Sequence, residues 1–176
     1  MRTVARGIIV PAPLPFNENH RLETLREYRI LDTPSEVRFD RIVSHAALRC
    51  NVPIATFTIV DETRSWFKSR TGLDVQEIDR QNSFCAHTVA SNAPLVIEDA
   101  TQDERFADSE FVVGEPFIRF YAGVPVRARN QDALGSICII DRKPRTLPWQ
   151  DFQLLKRLAN QIEVQLLLRK SRLDAH

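Results

Sequence analysis

The chain has 176 residues, 43% of them hydrophobic and 27% charged, with a net charge of +1. That length suits one domain with a sizeable core, and the near-neutral charge leaves no global field to favour nucleic acid or an anionic membrane. No apolar run approaches the ~20 residues that cross a bilayer, and the three-residue run Ile8 to Val10 near the start is too short for a signal-peptide core, so a cytoplasmic protein is expected.

Residues 1–16 alternate Pro11, Pro13 and Pro15, which predicts an extended tail. A first helix follows, with Asn17 as its cap and Tyr28 near its end. "LDTPSE" breaks it at Pro34, and a second helix is expected from Ser35 to Cys50 with the stripe Val37, Ile42, Val43, Ala46 and Ala47. The period then changes. "IATFTIVDE" (54–62) and "SWFKSRTG" (65–72) read as a β-hairpin. A loop leads to a short helix in "NSFCAHTV" (82–89), and "PLVIEDA" (94–100) is a short strand. Residues 101–117 form a long irregular connection with a helical turn expected at Glu104–Ala107. The strands "RFYAGVPVRA" (119–128) and "ALGSICIID" (133–141) follow, and then a helix from Trp149 to Arg169. This order predicts an α+β domain over 17–170, built on an antiparallel sheet, with a short C-terminal tail at 171–176.

Side chains alternate across a sheet, so each strand divides by parity. One set is Ala55, Phe57 and Ile59; Phe120, Ala122, Val124 and Val126; and Gly135, Ile137 and Ile139. The other is Thr56, Thr58 and Val60; Arg119, Tyr121, Gly123 and Pro125; and Leu134, Ser136, Cys138 and Ile140. The first set suits packing under the first, second and last helices. The second, rich in small and hydrogen-bonding groups, suits the floor of a cavity roofed by the long connections 73–92 and 100–118. The alternative is a polar face open to solvent.

Six segments, "LREYRILDTPSEVRFDRIV", "DETRSWFKSRTGLD", "SFCAHTV", "DERFADS", "IRFYAGVPV" and "GSICIID", resemble in order the GAF domain family over roughly residues 17–170. The subgroup they resemble stands at the N-termini of bacterial sensor histidine kinases and diguanylate cyclases. The resemblance implies a central antiparallel sheet of five or six strands, helices on one face and a small-molecule pocket with long lid loops on the other. It also implies a homodimer, and an output module such as a histidine kinase or diguanylate cyclase. It names no cofactor. The Asn-Lys-Phe-Asp-Glu signature of cyclic-nucleotide binders is absent, Ala86 separates Cys85 from His87 where bilin-binding relatives join cysteine to histidine, and the cysteine motif of free methionine sulfoxide reductases is missing.

The expected ligand-pocket residues are Thr56, Thr58, Ser83, Cys85, His87, Phe106, Arg119, Tyr121, Gly123, Ser136, Cys138 and Ile140. Residues two apart on a helix point about 200° from one another, so Cys85 and His87 do not form a nucleophile–base pair. Arg119 beside Tyr121 suits an anionic ligand group or an ion pair with Asp99 or Asp103; Arg105 braces the lid and Phe106 anchors it. Cys50, Cys85 and Cys138 are widely spaced, and no histidine pair has i, i+4 spacing, so neither a disulfide framework nor a metal site is expected. The leading reading is a non-catalytic sensory domain that binds a small molecule and relays its presence through the terminal helices. Two others stand beside it: a thiol redox enzyme related to free methionine sulfoxide reductase, using Cys85 with Cys138 as resolving partner, and a dimerisation module with no ligand.

Overall fold

Alternating β-branched and aromatic side chains between Ile54 and Val60 make a strand, β1, that is buried along its whole length. In the computed structural model, which describes residues 10–176, β1 lies near the middle of a six-stranded antiparallel sheet. The other strands are β2 (Arg64–Thr71), β3 (Glu77–Asp79), β4 (Leu95–Ile97), β5 (Phe120–Arg127) and β6 (Ala133–Asp141), in the order β3-β2-β1-β6-β5-β4. Helices α1 (Glu18–Glu27), α2 (Val37–Cys50) and α5 (Trp149–Asp174) back one face, and α3 (Phe84–Ser91) and the single turn α4 (Glu110–Val113) lie toward the other. The fold class is α+β, as expected. Of the tail expected over 1–16, the first nine residues lie outside the described ones, and Val10 to Pro15 belong to no helix or strand.

The core divides along the parity of the strands. Ala55, Phe57, Ile59, Phe120, Ala122, Val124, Val126, Ile137 and Ile139 pack with Leu25, Phe39, Val43, Leu158 and Ile162 of the three backing helices. Val60, Tyr121, Cys138 and Ile140 join a second cluster with Phe84, Cys85, Val89, Phe106 and Ile118. Two bulges interrupt the alternation. In β2 the pairing passes from Phe67 opposite Thr58 to Ser69 opposite Phe57. The extra residue, Lys68, sends its buried ammonium to the Glu36 carboxylate (2.7 Å), Thr33 Oγ1 (2.8 Å) and the Pro34 carbonyl (2.6 Å). In β6 the register passes from Gly135 opposite Val126 to Ala133 opposite Arg127. This turns Leu134 into the helical core, against the parity expectation.

Several boundaries differ from the expected ones. Asn17 precedes α1, but its side chain makes no cap; it donates to Asp132 instead (2.7 Å). Because α2 begins only at Val37, that side chain is 64% exposed and Phe39 takes the buried place. Strand β3 forms inside the expected loop by pairing with Arg64, Ser65 and Trp66. The helical turn expected at Glu104–Ala107 is present as a single turn, with the Asp103 carbonyl accepting from the Ala107 amide (2.8 Å), and the connection carries a further helical segment, α4, held by the Ser109 hydroxyl accepting from the Phe111 amide. Helix α5 continues past Arg169 to Asp174.

A buried ion network ties α1 to the sheet. Arg21 donates to the carbonyls of Val60 (2.8 Å) and Ala133 (3.3 Å) and, through Nε and Nη2, to Glu18 (2.9 Å each). Arg80 donates to the same carboxylate and to the Asp61 carbonyl. Burial alone would raise the proton affinity of Glu18, but hydrogen bonds and charge from Arg21 and Arg80 overcome it and hold the carboxyl at about 2, down from 4.5. A group with a lowered folded pKa contributes stability that is complete above its unfolded value and lost as pH falls through the folded one. Glu18→Gln should therefore cost about 3 kcal/mol in urea unfolding at neutral pH, since it leaves buried guanidinium charge unpaired. The gap from wild type should narrow between pH 4.5 and about 2. A gap that stays constant through that window would contradict this assignment.

Candidate functional site

Helix α3 starts where a serine can cap it. Ser83 Oγ accepts from the Ala86 amide (3.2 Å) and from the Ser65 hydroxyl of β2 (2.7 Å), which fixes the helix start against the sheet. From that start Cys85 points toward β6 and His87 points away. The sulfurs of Cys85 and Cys138 lie 3.8 Å apart, while His87 Nε2 donates to the Val10 carbonyl (3.2 Å) and its ring meets the Phe106 ring edge-on at 4.7 Å. The two side chains diverge, as helical geometry requires.

Around the sulfurs runs a buried chain of hydroxyl contacts. Thr58 and Thr56 share a hydrogen bond (2.7 Å), Thr56 Oγ1 lies 3.0 Å from the Cys138 sulfur, and Tyr121 donates to the Cys85 sulfur (3.5 Å). The Tyr121 oxygen also bonds Thr88 of α3 (2.9 Å). Ser136 Oγ is buried near Cys85 but makes no hydrogen bond of ordinary geometry. Gly123 makes room for this arrangement, because a Cβ there would strike the Tyr121 phenol and lie 3.0 Å from Thr88 Oγ1.

Beside the chain opens a pocket of about 310 Å³ between the sheet, the start of α3 and two lids. Thr56, Phe67, Tyr121, Cys138 and Ile140 form its floor, Ser83, Phe84 and Cys85 one wall. Leu73, Asp74, Val75 and Ile78 come from the first lid, Phe111, Glu115, Pro116 and Ile118 from the second, and Arg142 lies just past β6. The interior is mainly apolar, with the polar groups on the floor and the charges carried by Asp74, Glu115 and Arg142. Such a site suits a small, largely apolar molecule oriented by a few hydrogen bonds.

Of the twelve residues expected at the pocket, Thr56, Ser83, Cys85, Tyr121, Cys138 and Ile140 line it. The other six stand elsewhere. Thr58 and Ser136 lie beside the floor on the same face of the sheet, outside the lining, and Gly123 lies behind Tyr121. Phe106 stacks on Phe84 at 4.1 Å and backs the wall, with His87 beyond it. Arg119 faces neither an anion site nor Asp99 or Asp103; its guanidinium donates to the carbonyls of Val112 (2.8 Å) and Ile118 (3.0 Å), bracing the second lid. Arg105 does pair with Asp103 (2.7 Å) and lies over Phe106. Phe67, which parity places on the pocket face of β2, stands outside the expected set, as do the individual lid residues, where no periodicity gives a signal.

The electrostatics push the two sulfurs in opposite directions. The Cys138 thiol lowers the proton affinity of Cys85, burial opposes this, and the hydroxyls of Ser136, Tyr121 and Thr58 add to the lowering. Cys138 is pushed well up by its bond to Cys85 and by burial. Burial likewise raises Tyr121 and lifts the remote Cys50 to about 11. Among the described residues no three His, Cys, Asp or Glu side chains converge as a metal site would require.

The GAF domain family model matches residues 34–166. The cyclic di-GMP phosphodiesterase PA2567 of Pseudomonas aeruginosa is 37% identical over 148 residues, 84% of this chain. The chain spans only 25% of that relative's length. Among solved structures, the GAF domain of an Acinetobacter phosphoenolpyruvate-protein phosphotransferase superposes with a TM-score of 0.64 at 20% identity, covering 89% of this chain and 98% of that one. The type II free methionine-R-sulfoxide reductase of Thermoplasma acidophilum superposes with a TM-score of 0.56 at 16% identity, over 73% of this chain and 94% of that one. At these identities the two structures show a shared fold.

Because Tyr121 occupies the space over Gly123, Gly123→Ala should destabilise the protein by about 2 kcal/mol through overpacking. Combining it with Tyr121→Phe should recover part of that loss in thermal denaturation. Equal melting temperatures for Gly123→Ala and wild type would show that the ring does not depend on the missing Cβ.

Proposed function

Because this chain belongs to the GAF domain family, we propose that it is a sensory domain whose pocket takes a small, mainly apolar molecule and whose terminal helices pass the binding state to an output module. The observation that carries this reading is the pocket on the second face of the sheet, with hydrogen-bonding groups on its floor and two lids above it. Binding would favour one arrangement of the 72–78 and 111–118 lids over others. A signalling role is supported by the likeness to a cyclic di-GMP phosphodiesterase, and output through a histidine kinase, a diguanylate cyclase or a cyclic-dinucleotide hydrolase fits the same reading. A cytoplasmic location is proposed with it; none of the helices among the described residues is long and apolar enough to cross a membrane.

Binding is favoured over turnover by the neighbours of the sulfurs. Among the described residues their hydrogen-bond partners are hydroxyls and each other, with no imidazole or carboxylate placed as a base. Relay through α5 is supported by its second apolar stripe, where Val164, Leu167 and Leu168 are 53%, 38% and 46% exposed. We propose that this stripe pairs with the same helix of a second copy.

Two experiments test the reading. A thermal-shift screen of small aromatic and aliphatic acids, amides and nucleobases should yield a compound that raises the melting temperature progressively with its concentration. Ile140→Trp, which fills the pocket floor, should abolish that rise while leaving the unliganded protein folded. A screen without any such compound, or an undiminished rise in the variant, would count against the pocket as a ligand site. For the relay, Leu168→Glu should convert a dimer to a monomer in sedimentation, and a wild-type monomer at high concentration would remove the pairing.

A further inference from the structure

The two sulfurs on the pocket wall and floor are placed to react with one another. We propose that Cys85 and Cys138 form a peroxide-reactive dithiol site that closes to an intramolecular disulfide across the pocket. This inference does not depend on the pocket holding a ligand.

Four observations carry it. The sulfurs lie 3.8 Å apart without an intervening atom, so bond formation requires them to close to about 2.05 Å, a movement within reach of side-chain rotation and a small shift at the start of α3. Both residues line a pocket large enough, at about 310 Å³, to admit a small hydroperoxide. The Tyr121 hydroxyl donates to the Cys85 sulfur (3.5 Å), a contact that strengthens when the sulfur is charged. The Ser136 hydroxyl, buried on the same face, has no hydrogen-bond partner and is available as a second donor when the sulfur is charged.

The chemistry balances with a hydroperoxide as oxidant. The Cys85 thiolate attacks the peroxide, forming an S–O bond and breaking the O–O bond. For hydrogen peroxide the leaving hydroxide takes up a proton as water, and Cys85 is left as a sulfenic acid. The Cys138 sulfur then attacks the Cys85 sulfur. The S–S bond forms, the S–O bond breaks, and the leaving hydroxyl departs as water with the Cys138 proton. Two thiols and one hydrogen peroxide give one disulfide and two waters, with two electrons passing from sulfur to oxygen. Formation of the bond turns the acceptor of the Tyr121 hydroxyl into a weaker disulfide sulfur and draws α3 toward β6, so it reshapes the wall that any ligand would meet.

The test uses the full chain, reduced, desalted and exposed to one equivalent of hydrogen peroxide. Remaining thiols are alkylated under denaturing conditions, and peptides are mapped without reductant. The expected product is a monomeric Cys85–Cys138 disulfide, reversed by dithiothreitol, with Cys50 alkylated. Cys85 should oxidise at least about tenfold faster than Cys50, whose burial holds it as the thiol. In Cys138→Ser the reaction should stop at a sulfenic acid on Cys85 that dimedone captures. Recovery of Cys85 and Cys138 as alkylated thiols, or disulfides formed mainly through Cys50 or between chains, would overturn the proposal. The wild-type peptide map decides this even where the serine variant fails to fold.

Discussion

The structure depends on one geometric constraint, the alternation of side chains across β1, β5 and β6, broken only where the bulge turns Leu134 inward. Each strand sends Phe57, Ile59, Val124, Ile137 and their neighbours to the layer of α1, α2 and α5, and sends Thr56, Tyr121, Cys138 and Ile140 the other way. A one-residue slip in any pairing would exchange the two sets, burying hydroxyls among aliphatic chains and aiming phenylalanine into the pocket. The apolar set fixes the register because its burial is worth ~25 cal/mol per Å² of covered surface. The mixed set is then presented on the opposite face as a consequence, and α3 and the lids close over it.

That second face tolerates burial because its polar groups satisfy one another. Thr58, Thr56, Cys138, Cys85, Tyr121 and Thr88 form one connected run of contacts between 2.7 and 3.8 Å. Each hydroxyl in it has a partner, so desolvation is offset within the layer. Ser136 is the exception, and its unpaired hydroxyl lies next to the sulfur with the lowered proton affinity. The site thereby combines an apolar chamber, which suits binding, with a polar seam along its floor that holds the two sulfurs.

Much of this was legible in the sequence wherever the backbone is periodic. The strands β1, β2, β5 and β6 and the helices α1, α2 and α5 lie where alternation and helical spacing place them, because those periods follow from backbone geometry. What broke the pattern was invisible. The bulge that turns Leu134 inward adds a residue without a compositional mark, and β3 and α4 are too short for a period to emerge. At the site, strand residues such as Thr56, Cys138 and Ile140 could be read from parity, whereas Leu73, Glu115 and Pro116 lie on irregular lids whose direction only the folded chain sets. Arg119 shows the same limit. Its charge suggested an anion partner, yet it serves the backbone carbonyls of the second lid.

The division of the sheet into a packed face and a hollow face can be measured directly by methyl-resolved NMR of the isoleucines under xenon, which enters apolar voids. The methyls of Ile78, Ile118 and Ile140, which line the pocket, should shift with xenon pressure. Those of Ile59, Ile137 and Ile139, packed under the helices, should remain in place. Shifts concentrated on the helical side, or none on the pocket side, would contradict the account.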